Sequence, residues 1–153
     1  MTAETLRAPW QARPGSSEPP LTFGEAVHFR QRAAQAGVDL ESPLVSGELT
    51  VDLDAYEVRD RGQAIDLSPR QVELLSLFVA APGRVWSRDL LHWVCWAEPT
   101  PSRRVDVQLC RIRTRLGRDV FRNIRDRGWT LRANRAAHAR RTDRADSSGP
   151  PAV

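Results

Sequence analysis

A chain of 153 residues is long enough for one ordinary domain with a proper core plus tails, and too short for two full domains. Its formal charge of +4 hides an asymmetry: Arg103 to Arg144 carries 14 Arg against 4 Asp, a net +10, so the remaining residues sum to −6. Such a footprint calls for a polyanion at the C-terminal third, and with no long apolar segment beside it nucleic acid fits better than a membrane.

The start is rich in Pro, Ser, Gly and Ala and has no apolar run of the signal-peptide kind, which predicts a disordered leader over residues 1–22 of a cytoplasmic protein. Phe23 to Ala36 then places Phe23, Ala26, Val27, Arg30 and Ala33 or Ala34 at helical spacing, with Gly37 as the stop. This short helix and a linker occupy residues 23–46, and the main domain is expected over residues 47–133. Within it, Gly47 to Leu67 alternates with period two in LTVDL, YEV and AIDL, broken at Asp54-Ala55 and at Asp60-Arg61-Gly62. That pattern predicts a small antiparallel sheet.

A helix start follows: Ser68 caps, Pro69 suits the first helical position, and Gln71 completes a capping box. Val72, Leu74, Leu75, Phe78 and Val79 form its buried side, and Ala81-Pro82-Gly83 ends it. After the extended link Arg84-Val85-Trp86, Ser87 caps a second helix to about Trp96, with Leu90, Leu91, Val94 and Cys95 inward. A Pro-containing connection, Ala97 to Pro101, leads to Ser102 as the expected cap of a third helix. Here Val105, Leu109, Ile112 and Leu116 stack on one stripe that must be buried. Around the rest of the cylinder stand Arg103, Arg104, Val107, Gln108, Cys110, Arg111, Arg113, Thr114 and Arg115, a surface rich in guanidinium and poor in carboxylate.

Phe121 to Arg125 and Gly128 to Arg132 flank Asp126-Arg127 as a basic β-hairpin, and residues 134–153 lack the apolar content to order themselves, which predicts a disordered basic tail. Helix, link, helix, loop, basic helix and basic hairpin is the order of a winged helix-turn-helix. The expected class is α+β, with an N-terminal antiparallel sheet, a three-helix core and a C-terminal hairpin wing. Cys95 and Cys110 with scattered His28, His92 and His138 make no zinc set, and no convergent catalytic group or Gly-rich phosphate loop is present. Neither enzyme, metal nor cofactor is therefore expected. Cys95, Trp86 and Trp129 read as core residues, whereas Cys110 falls opposite the apolar stripe.

LSPRQVELLSLFVAAPGRVWSRDLL, then RRVDVQLCRIRTRLG and NIRDRGWTL, resembles the C-terminal effector domain of the OmpR/PhoB response regulators. The resemblance covers Glu48 to Ala133 and implies about four N-terminal strands, three helices and a wing. It also implies a sequence-specific regulator of transcription acting on double-stranded DNA, with the third helix in the major groove and the hairpin in the minor groove. Under it, Val105-Asp106-Val107 opens the recognition helix and Arg111 meets a guanine edge, where a guanidinium can donate twice. Arg103, Arg104 and Arg113 would lie near phosphates or adjoining bases, with Val107 and Gln108 on the same outward surface. Arg88 would touch the DNA backbone, and Arg125 with Arg127 would enter the narrow minor groove.

A receiver domain needs about a hundred residues more than this chain offers, so an orphan effector is expected. In the wing, R-D-R-G-W replaces R-G-x-G-Y, so Asp126 either repels phosphate or pairs with Arg127. The connection WAEPTPS is shorter than in many relatives, and the resemblance makes it the place of contact with RNA polymerase. A homodimer on DNA is the other partner implied. The competing reading is a winged-helix module that binds RNA polymerase or another transcription protein in place of DNA, since a fold does not fix its partner.

Overall fold

Thr22 starts the first helix: its Oγ1 accepts the Glu25 N–H at 3.1 Å, a side-chain cap for α1 (Phe23–Gln35). The computed structural model describes residues 21–41, 43–97 and 103–132. Leu21 is buried in the core, so Leu21 and Thr22 belong to the folded unit rather than to the leader. The rest of the expected leader, Ser102, most of the Pro-containing connection and the expected tail lie outside the described residues.

The inward face of α1 keeps Ala26 and Ala33 of the expected set and differs in the rest. Two stripes compete on this helix: Phe23, Val27, Arg30 and Ala34, or Ala26, Phe29 and Ala33. The structure buries the second and leaves Phe23 64% exposed and Val27 at the surface. Charge decides the choice, because the first stripe would have carried Arg30 into the core. Arg30 instead lies at the margin, where Nη2 donates to the Leu53 carbonyl at 2.9 Å and stands 3.5 Å from Asp54 Oδ1.

The segment expected as linker contains a strand. β1 (Leu44–Ser46), β2 (Leu49–Asp52), β3 (Glu57–Asp60) and β4 (Gln63–Ile65) form one antiparallel sheet in chain order, with Leu44 opposite Val51, Val51 opposite Val58 and Val58 opposite Ile65. Three residues are too few for alternation to declare a strand; pairing with β2 defines β1. Asp52 Oδ1 accepts the N–H groups of Asp54 and Ala55 and shapes the β2–β3 turn. The two strands meet again beyond Tyr56, which takes φ 51° there.

α2 (Pro69–Ala80) has the expected capping box and lies at the centre, buried from Gln71 to Val79. Leu44, Leu49, Val51 and Val58 of the sheet join Leu74, Leu75 and Phe78 in one core. α3 (Arg88–Trp96) is capped by Ser87, and α4 (Arg104–Leu116) packs on both α2 and α3. β5 (Phe121–Ile124) and β6 (Gly128–Leu131) make the hairpin. The link before α3 joins it: Trp86 and Trp129 exchange both backbone hydrogen bonds, at 2.7 and 2.8 Å. Trp86 is a fully buried plug as expected, while Trp129 is only half-buried. Phe78 and Phe121, with ring centroids 4.9 Å apart, tie α2 to the same hairpin.

Candidate nucleic-acid interface

α4 buries Val105, Leu109, Ile112 and Leu116 and no other side chain. The stripe leaves Arg103, Arg104, Val107, Cys110, Arg111, Arg113, Thr114 and Arg115 exposed. Arg103 occupies the N-cap position, with no capping hydrogen bond from its side chain, where Ser102 was expected. Gly117, at φ 73°, closes the helix, and its N–H donates to the Arg113 and Thr114 carbonyls. Arg113 and Arg115 in the last turn and Asp106 in the first both suit the helix dipole.

The expected contact residues fall into different settings. Arg104 and Arg111 share an outward edge with Arg115, at spacings of seven and four. Gln108 lies on that edge too but is half-buried, because its Oε1 accepts from Gln71 Nε2 at 2.9 Å. Arg113 stands on the opposite edge, with Nη1 4.0 Å from Asp119 and Nη2 3.7 Å from Cys110 Sγ. Arg88, the first residue of α3, forks onto Asp106 with Nε and Nη2 each at 3.2 Å from a carboxylate oxygen. The only carboxylate of α4 is thus paired with a neighbouring helix. Arg88 remains nearly half exposed, so this pair adds little stability.

In the hairpin, Arg125, Asp126 and Arg127 form the turn and all three are exposed. Asp126 adopts φ 62°, a left-handed conformation that Asp tolerates better than most residues. Gly128 follows at φ 139°, and a Cβ there would stand 1.9 Å from the Trp86 carbonyl oxygen. Only glycine lets the hairpin lie this close to the link.

Sequence reasoning missed the groups that hold the basic surface. Arg118 makes a two-pronged ion pair with buried Asp60, at 2.7 and 3.2 Å, fixing the end of α4 to β3 across 58 residues of sequence. Arg132 Nη2 reaches Asp119 at 3.3 Å. Arg122, exposed on β5, extends the basic character of the hairpin. Within α2, fully buried Glu73 accepts the Tyr56 hydroxyl at 2.7 Å with Arg70 at 3.5 Å, and burial pushes its carboxyl up to about 8. Burial likewise pushes the Cys95 thiol up and lowers Arg32. No local signal announces a pairing of this kind.

Residues 62–131 match the family described as transcriptional regulatory protein, C terminal. The chain carries an OmpR/PhoB-type winged-helix domain. Transcriptional regulatory protein CseB of Streptomyces coelicolor is 35% identical over 113 residues, covering 72% of this chain and 48% of that protein. Its Streptomyces avermitilis counterpart is 38% identical over 117 residues with the same shares. The chain therefore spans about half the length of the curated relatives it matches. Among solved structures, the DNA-binding domain of CpxR from E. coli superposes with a TM-score of 0.56 at 22% identity, over 61% of this chain and 98% of that one. The Klebsiella pneumoniae RstA DNA-binding domain, solved in complex with the RstA box, gives 0.55 at 22%, over 60% and 97%. These likenesses establish the fold of the OmpR/PhoB-type domain here. The stretch matched to the family begins in the β3–β4 turn, so α1 and β1–β3 precede it. Among the described residues no helix is long and apolar enough to cross a membrane.

Proposed function

We propose that this chain is a sequence-specific, double-stranded DNA-binding regulator of transcription, with α4 in the major groove and the β5–β6 hairpin in the flanking minor groove. The observation that carries the reading is the outward surface of α4. Its arginines stand exposed there, while its only carboxylate is drawn aside to Arg88. Relatives of the same fold were solved on DNA, RstA with its box and AdeR with an intercistronic region. Arg111 and its neighbours on the outward edge read bases, Arg103 and Arg113 meet phosphates at either end, and Arg125 and Arg127 enter the minor groove. Arg88 adds a phosphate contact when Asp106 releases it. A second copy on DNA and RNA polymerase are the further partners, through surfaces outside α4.

Fluorescence anisotropy with a labelled duplex over a salt series tests the proposal. Each neutralised phosphate contributes a slope of about −0.9 in log affinity against log salt, so several contacts give a steep fall. Association that ignores salt, or none at low salt, favours a protein-binding module.

A further inference from the structure

The capping box of α2 reaches the recognition surface. A backbone N–H can only donate, so the atom of Gln71 that faces Ser68 N at 3.0 Å is its carbonyl oxygen, Oε1. The other end of that amide is then necessarily the amino group, and it meets Gln108 2.9 Å away. Gln108 in turn must offer its own carbonyl to α2. Two side-chain amides, ambiguous when taken singly, are oriented by one peptide group. The end of Gln108 not engaged by α2 is its amino group, and a helix surface places residue 108 between Arg104 and Arg111, its neighbours four back and three on.

We propose that Gln71 is a positioning residue that sets Gln108 as a hydrogen-bond donor toward DNA, matched to an acceptor and mismatched to an exocyclic amino group. This rests on the reading of α4 as the groove helix. An unrestrained glutamine can grip adenine with both ends, accepting from N6 and donating to N7. With its carbonyl held by Gln71, Gln108 instead suits guanine O6 or N7, thymine O4 or a phosphate oxygen. It disfavours the amino groups of adenine and cytosine.

Changing Gln71→Glu separates cap from orientation. A glutamate still accepts from Ser68 N–H and completes the capping box, but it cannot donate. Gln108 would then turn its amino group to α2 and its carbonyl to the DNA. The intact chain is compared as wild type, Gln71→Glu, Gln108→Ala and the double variant, by selection from duplexes with a randomised centre and by affinity for fixed duplexes. If Gln108 reads a base, Gln71→Glu moves the preference at one base pair about fivefold toward adenine or cytosine amino groups, and Gln108→Ala flattens that position. If it meets a phosphate, Gln71→Glu weakens every duplex by about fivefold, and the loss vanishes when residue 108 is Ala.

Identical binding by Gln71→Glu and wild type overturns the proposal, as does an effect that persists in the double variant. A measurement without DNA guards against a misfolded variant. NMR of the wild type should show a through-hydrogen-bond coupling from the Gln71 side-chain nitrogen to the Gln108 side-chain carbonyl carbon, and a reversed or missing coupling overturns the orientation. A wild type that keeps the coupling but recovers no duplex sinks the DNA reading, a separate failure.

Discussion

Gly128 shows how much of this surface depends on single residues. Its φ of 139° is nearly closed to side chains, and the space a Cβ would fill is already taken by the Trp86 carbonyl at 1.9 Å. That carbonyl accepts the Trp129 N–H in the pairing that joins the hairpin to the rest of the domain. Gly128→Ala must therefore break the pair or shift the hairpin, at a cost of about 3 kcal/mol or more. Urea unfolding should show the loss, and DNA affinity should fall with it. A variant with wild-type stability would mean that the hairpin packs more loosely against Trp86 than the structure shows.

At the scale of elements, α4 divides its work by face. The apolar stripe anchors it and Arg88, Gln71 and Asp119 hold its margins, so the residues between can serve a ligand. Arg111→Ala, on the outward edge, should cost about 1–3 kcal/mol on the preferred duplex and much less on random DNA. Thermal stability should stay within about 0.5 kcal/mol of wild type, since residue 111 is exposed. Equal weakening of specific and random binding would reassign Arg111 to a phosphate.

At the scale of the molecule, α1 is part of the core. Phe29 and Ala33 are fully buried, Arg32 Nε donates to the Val94 carbonyl at 2.8 Å, and Arg84 Nη1 donates to the Ala36 carbonyl at 2.7 Å. Phe29→Ala should lower the stability of the whole unit by about 3–5 kcal/mol in chemical denaturation. A variant losing self-association but no stability would give α1 a pairing role instead. Glu73 supplies a pH signature from the same junction, where Tyr56, Arg70, Arg32, Glu25 and Cys95 act on one another and on it. Its carboxyl titrates at about 8 when folded and near 4.5 when unfolded, so between those values the folded state keeps a proton that the unfolded state has released. Stability should accordingly decline as pH rises from about 5 to 8 and level off above. Glu73→Gln retains an acceptor for the Tyr56 hydroxyl and should abolish that slope in denaturation curves recorded across the range.

Local chemistry was enough to write the helices and the basic outward surface of α4 into the sequence. Caps at Ser68 and Ser87 and a stripe spaced four, three and four are properties of neighbours within a few turns, and the structure repeats them. The basic order of helix and hairpin gave the winged-helix class for the same reason. What neighbours cannot supply is competition between distant groups. The buried face of α1 was settled by where Arg30 could find a carbonyl, and β1 became a strand only by pairing with β2. Burial of Glu73 needs Tyr56 from a turn that precedes it by 17 residues, and Asp60 waits for Arg118. The orientation of Gln108 depends on a peptide N–H in another element, so which end of its amide is engaged by α2 was decided by tertiary structure alone.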